Sequence, residues 1–275
     1  MVGYILHFCE RCMWQLWTVF GVAMTLACCL QFVGRKIRSA GVGRLGGLYW
    51  YLVAPGVACH ETGHAVGCIL TGTKIVKFVP FCRNRDTLGY VLHEKRTGLL
   101  GGMADFVIAS GPVWFGGLAI VFLTCLFSCS TPRILYRDYF PVDAMPGLLT
   151  YGCGLLSAAG NLLSETLGAS DWGLGLIVWL YLTFCIASEI GLSPVDLLHM
   201  KRGLLCIALL TALLNLIPPV GMGVSALVFA LMPFLFKLHV LMATALTVNI
   251  VIMLIVRLVA RWRRLRKIVT YTFVL

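Results

Sequence analysis

Long apolar runs separated by short polar segments form the pattern of this chain. A bilayer core about 30 Å thick is crossed by a helix of about 20 apolar residues. By this measure we expect about seven transmembrane helices, the last two of them separated by a turn at Lys237 and His239. They lie at about 14–34, 47–70, 104–127, 173–193 and 203–220, with two more inside 222–258. The stretch 146–168, rich in Gly and Ser, predicts an interfacial or re-entrant segment, or an eighth span.

The same pattern predicts an all-α polytopic membrane protein with a single integral-membrane domain over residues 1–275. Its core is expected at about 47–200, with additional helices at about 1–46 and 203–275. One segment differs from the rest. Apolar and polar residues alternate over 72–78 and again near 88–91, which is typical of a β-hairpin. We therefore expect a small membrane-associated hairpin at about 73–92.

The amino-acid composition is also typical of a protein embedded in a lipid bilayer. Hydrophobic residues make up 60% of the chain and charged residues 12%, whereas a soluble domain has about 45–50% apolar and about 25% charged residues. This excludes a soluble enzyme and a nucleic-acid-binding module. We expect a multi-pass protein of a lipid bilayer, with no nucleic-acid partner.

The net charge of +11 comes from short basic clusters between the apolar runs. Clusters at 35–44 and 257–267 are both expected on the cytoplasmic side, because Lys and Arg accumulate there. Seven spans with a cytoplasmic C-terminus satisfy both clusters. The basic segment 71–103 would then lie outside, so either the topology differs there or the segment folds against the membrane.

The sequence His60-Glu61-Thr62-Gly63-His64 lies inside the second predicted span and matches the pattern HExxH. Two histidines four residues apart share one face of a helix and can bind the same Zn²⁺. The intervening glutamate, here Glu61, can act as the general base that takes a proton from water. Each ionisable group inside a span costs about 2.5–3.5 kcal/mol. Three such groups within five residues therefore predict a compensating divalent cation.

A catalytic zinc site has three protein ligands, and the chain offers few candidates for the third. Asp196 is expected to fill this position, because it follows Ser193-Pro194, where the fourth span breaks and a carboxylate can turn inward. Asp196 could instead cap a helix at 195–201. Glu189 is the alternative ligand, or a residue that supports one. The other acidic and histidine candidates are Asp105, Glu165, Asp171, His93, His199 and His239.

The segment Ala58–Ala65, with HExxH inside an apolar helix, resembles the site-2 protease family of intramembrane zinc metalloproteases. The hairpin segment after the motif is similar to a strand pair of that family. Ala109-Ser110-Gly111-Pro112 is similar to its Ala-Gly-Pro element. Ser193–Leu197 is similar to a Ser-x-x-Asp element of a divergent branch. The likeness covers about 48–125 and 188–198, and the Leu-Asp-Gly segment that often supplies the family's third ligand is missing after Asn215.

This resemblance implies an intramembrane zinc metalloprotease that cleaves membrane-protein substrates in or near their transmembrane segments. In this chain His60, His64 and Asp196 would bind Zn²⁺, and Glu61 would be the catalytic base. The open edge of the hairpin could pair with an unwound substrate segment. Two other functions stay open: a transporter or channel with a buried His/Glu ion pathway, and a proteolytically inactive relative that binds membrane partners.

Overall fold

Helices account for almost all of the ordered secondary structure in this computed structural model, which describes residues 2–83, 88–95, 97–127, 148–168 and 173–272. The helices of the described residues are α1 (Val2–Leu16), α2 (Val22–Leu45), α3 (Leu48–Leu52), α4 (Ala54–Leu70), α5 (Gly98–Phe127), α6 (Leu148–Gly168), α7 (Leu174–Glu189), α8 (Pro194–Leu216) and α9 (Pro218–Thr272). A π-helical turn, Trp17–Gly21, joins α1 to α2 without a break. The predicted all-α class is therefore confirmed, together with one small sheet.

Four helical segments of the described residues are long and apolar enough to cross a membrane. They are Tyr4–Leu45, Leu100–Phe127, Pro194–Leu216 and Pro218–Val259. The apolar helix α7 has only 16 residues, and α4, which carries HExxH, has 17. The fold is thus that of a membrane protein, and the seven spans expected from the sequence remain a prediction.

The turn predicted at Lys237 and His239 is wrong. Both residues lie within α9, which is helical throughout and contains Pro233. His239 is completely buried, and its Nδ1 lies 2.7 Å from the hydroxyl of Tyr151 on α6. The polar side chain is therefore paired with a neighbouring helix, and it does not mark a loop.

The predicted hairpin is confirmed. Strands β1 (Ile75–Val79) and β2 (Tyr90–His93) pair in an antiparallel two-stranded sheet, with Val79 opposite Tyr90 and Phe78 opposite Val91. The register shifts between Ile75 and Lys77, which is a β-bulge or a similar irregularity. The sheet follows directly after α4, so it lies next to the HExxH motif.

Close contacts between small residues hold α4 against two other helices. A Cβ on Gly63 would lie 2.6 Å from the Cα of Pro112 on α5, and one on Gly56 would lie 1.9 Å from the carbonyl oxygen of Cys185 on α7. Only glycine allows backbones to approach this closely. The motif helix is thus enclosed between α5 and α7, and both supply groups to its histidines.

Candidate metal centre

His60 and His64 face each other across one turn of α4. Their Nε2 atoms are 3.1 Å apart. The Nδ1 atom of His60 lies 2.7 Å from the carbonyl oxygen of Glu189 at the end of α7, and the Nδ1 atom of His64 lies 2.8 Å from the carbonyl oxygen of Ile108 on α5. Both imidazoles are therefore oriented by backbone groups of neighbouring helices.

These contacts define the tautomer of each ring. A carbonyl oxygen can only accept a hydrogen bond, so Nδ1 carries the proton in His60 and in His64. In the neutral rings both Nε2 atoms then present lone pairs, and neither can donate to the other. Two lone pairs 3.1 Å apart need a positive charge between them. An N–H to carbonyl bond on the far nitrogen is also the usual support of a histidine that binds a metal.

Asp196 comes from a different part of the chain and completes the group. Its Oδ1 lies 3.4 Å from Nε2 of His64, and its Oδ2 lies 3.8 Å from Nε2 of His60. The three residues form a group whose ligand atoms lie within 4.8 Å of one another and could hold a metal ion. The predicted convergence of Asp196 on the two histidines is thus present.

Asp196 also caps α8, which was the competing interpretation of this residue. The amide of Ser193 donates to Oδ2 of Asp196 at 2.8 Å, and the Ser193 hydroxyl accepts from the amide of Asp196 at 3.1 Å. This is a capping box with aspartate in the third position. The two roles are compatible, because the cap fixes Oδ2 while Oδ1 faces His64.

Glu61 lies beside the three residues and lines the same cavity of about 840 Å³. Gly89, just before β2, packs against it, and a Cβ on Gly89 would lie 2.7 Å from Cγ of Glu61. Because Gly89 has no Cβ, the hairpin leaves enough space for the side chain of Glu61. A carboxylate in this position is available to exchange protons with a water or ligand in the cavity.

Glu189 is not a third ligand in this arrangement. Its carboxylate forms an ion pair with Arg38 on α2, and its backbone carbonyl is the group that accepts from His60. The alternative of Glu189 as a supporting residue therefore agrees with the geometry, although it is the backbone that makes the contact.

The remaining candidates for the third ligand do not join the group. Asp105, His93 and His199 line the cavity, but they are not part of the His60, His64 and Asp196 group that the structure brings together. Glu165 is exposed on α6, and His239 is buried against Tyr151. Asp171 lies outside the described residues.

The cavity also contains side chains that sequence reasoning missed. Gln31 and Arg38 reach it from α2, and Trp50 and Arg83 lie on its wall as well. The sequence pattern places Arg38 in a cytoplasmic basic cluster. In the structure it lies within α2, and its side chain forms an ion pair with Glu189. Gln31 and Arg38 are seven residues apart, which places both on one helix face. This spacing is the feature of the sequence that indicates a shared polar face on α2.

Comparison with protein-family models, with curated proteins and with solved structures gives no match for this chain.

Proposed function

We propose that this protein is an intramembrane zinc metalloprotease that hydrolyses peptide bonds in or near the transmembrane segments of other membrane proteins. One observation carries the proposal. In a chain with helices that suit a bilayer, two imidazole nitrogens and a carboxylate from a distant helix converge beside a further carboxylate, that of Glu61. The HExxH spacing of His60, Glu61 and His64 in the sequence also predicts that these three residues form one site.

The donor set and its distances support zinc. Bond lengths of about 2.0–2.1 Å in a tetrahedral site separate neighbouring ligand atoms by about 3.3–3.4 Å. The separations of 3.1 Å between the two Nε2 atoms and 3.4 Å between His64 Nε2 and Asp196 Oδ1 are close to that value, and the 3.8 Å between His60 Nε2 and Asp196 Oδ2 is longer. Nitrogen and oxygen ligands in this number are typical of catalytic zinc, which keeps its fourth position open. No thiolate belongs to the group.

The proposed chemistry divides between the ion and Glu61. Zinc, when bound, would polarise the scissile carbonyl and make a water more acidic. Glu61 accepts a proton from the water whose oxygen attacks the carbonyl carbon. It then delivers this proton to the leaving nitrogen as the C–N bond breaks. The products are a carboxylic acid, which keeps the second proton of the water, and an amine, and Glu61 returns to its starting state.

The hairpin supports a peptide substrate. A helical segment hides its carbonyls in hydrogen bonds, so it must be extended before water can attack. Leu88, Gly89, Tyr90 and Val91 line the cavity, and the described sheet has only two strands, so β2 has one edge without a partner strand. An extended segment could add to this edge by backbone hydrogen bonds, next to Glu61.

The test is zinc content together with cleavage of a single-span membrane protein whose helix contains Gly and Pro. We expect about one zinc per purified wild-type chain, loss of zinc in His60→Ala and Asp196→Ala, and retained zinc with lost cleavage in Glu61→Gln. His199→Ala is the matched control, because His199 is an exposed histidine of the same cavity and should keep both properties. Cleavage by Glu61→Gln at the wild-type rate would contradict the mechanism.

A further inference from the structure

We propose that Arg38 is a positioning residue of the metal centre, and that it acts on His60 through Glu189. This inference rests on the metal site of the proposed function. It adds a residue from α2, a helix that the sequence places outside the catalytic core.

The first step is the ion pair between Arg38 and Glu189. Nη2 of Arg38 donates to Oε2 of Glu189, whose side chain is 8% exposed, while that of Arg38 is 33% exposed. Two further polar atoms of the pair, Nε of Arg38 and Oε1 of Glu189, are buried without a hydrogen-bond partner. Among the side chains that the structure describes, no other cation lies within ion-pair distance of Glu189. The carboxylate thus depends on one guanidinium.

The guanidinium is itself held in place. Its central carbon lies 5.9 Å from the ring centre of Trp50, so it stacks near an indole while it contacts the carboxylate. Arginine is suited to this double contact, because its planar group can stack and donate at the same time. Arg38 is thereby fixed between the segment before α4 and the end of α7.

Glu189 also contacts His60, through its backbone carbonyl. Glu189 is the last residue of α7, and carbonyl groups in the final turn of a helix have no partner within it. The free carbonyl of Glu189 accepts from Nδ1 of His60 at 2.7 Å. The same residue therefore holds Arg38 with its side chain and His60 with its backbone.

The consequence is that the position of one metal ligand depends on the charge of Arg38. Without the guanidinium, the buried carboxylate of Glu189 would move toward water and take the end of α7 with it. The hydrogen bond that fixes the tautomer and orientation of His60 would then weaken. Loss of such supporting contacts lowers metal affinity by about 10–100-fold.

The experiment measures Zn²⁺ affinity by competition with a chelating dye, and the absorption bands of the Co²⁺-substituted protein. Arg38→Gln should bind Zn²⁺ about 10–100-fold more weakly than wild type and shift the cobalt bands, because the ligand field at His60 changes. Arg38→Gln combined with Glu189→Gln removes the unpaired charge and should recover most of the lost affinity. Arg35→Gln is the control, since Arg35 lies exposed on the same helix and should match wild type.

An Arg38→Gln protein with wild-type affinity and cobalt bands would overturn the inference, as would a double variant as weak as the single one. If Arg38→Gln does not fold, Arg38→Met replaces it, because methionine fills similar space and also removes the charge. Weaker Zn²⁺ binding with shifted cobalt bands in Arg38→Met would then support the inference, and unchanged affinity and bands would overturn it. Absence of metal from wild type would instead remove the proposed function, so the two failures are distinguishable.

Discussion

The carbonyl of Glu189 and the amide of Ser193 are separated at the break between α7 and α8, and each serves a different residue of the metal centre. In an unbroken helix the amide of residue i+4 donates to the carbonyl of residue i. Here the carbonyl of Glu189 accepts from His60, and the amide of Ser193 donates to the carboxylate of Asp196. One interrupted turn thus orients two of the three candidate ligands.

The two roles of Asp196 can be separated by substitution. Asn can accept the hydrogen bond from the Ser193 amide and so keep the start of α8, but it is a weak zinc ligand. Asp196→Asn should therefore lose most of its zinc and unfold near the temperature of the metal-free wild-type protein. Ser193→Ala removes the other half of the capping box and should cost about 1 kcal/mol of stability with zinc retained. Thermal unfolding and metal analysis of both variants provide the check, and full zinc in Asp196→Asn would contradict the assignment.

Gly89 should control the position of Glu61. A Cβ there would lie 2.7 Å from Cγ of Glu61 and 2.9 Å from the carbonyl oxygen of Pro80, so Gly89→Ala must displace one of them. We expect cleavage to fall while zinc content stays at the wild-type value. The comparison is Gly43→Ala, whose new Cβ would have no atom within 4 Å. Equal cleavage rates in the two variants would show that the hairpin does not constrain Glu61.

The contact between Gly63 and Pro112 should be needed for stability as well as for His64. A new Cβ would lie 2.6 Å from backbone atoms of Pro112, which cannot yield as a flexible side chain can. Gly63→Ala should lose about 1–3 kcal/mol and lengthen the bond from His64 to Ile108, so zinc affinity should fall as well. Gly160→Ala, at a site with open space, is the control for thermal unfolding in detergent. A Gly63→Ala protein as stable as the control would contradict the close packing.

Removal of the metal should loosen a defined part of the molecule. Without a cation, the two Nε2 lone pairs of His60 and His64 face each other at 3.1 Å, and the rings must separate or bind a proton. Hydrogen exchange after chelation should increase in the second half of α4 and around 189–197, with little change in the middle of α9. If hydrogen exchange in these segments were the same before and after chelation, no ion would link them.

The local part of the site followed from the sequence. His60, Glu61 and His64 lie within one helical turn or so, and helix geometry alone brings the two imidazoles together. The break at Pro194 indicated that Asp196 could turn inward, and alternation at 72–91 indicated the hairpin. Each of these rests on residues close to one another in the chain.

The parts that the sequence did not reveal depend on distant pairings. Arg38 is 151 positions from Glu189, and among several basic neighbours nothing local distinguishes it as the one that faces inward. The sequence pattern predicts a turn at His239, because a polar side chain in an apolar run looks the same whether it meets water or a buried partner. Its partner, Tyr151, is 88 positions away.

The most direct test of the metal centre is X-ray absorption at the zinc edge of the purified wild-type protein. We predict a four-coordinate ion with nitrogen and oxygen neighbours at about 2.0–2.1 Å and with the outer-shell scattering of two imidazoles. The chain also has twelve cysteines, and zinc bound by cysteine thiolates would instead show sulfur neighbours at about 2.3 Å. A sulfur shell, or a spectrum without imidazole scattering, would contradict the assignment to His60, His64 and Asp196.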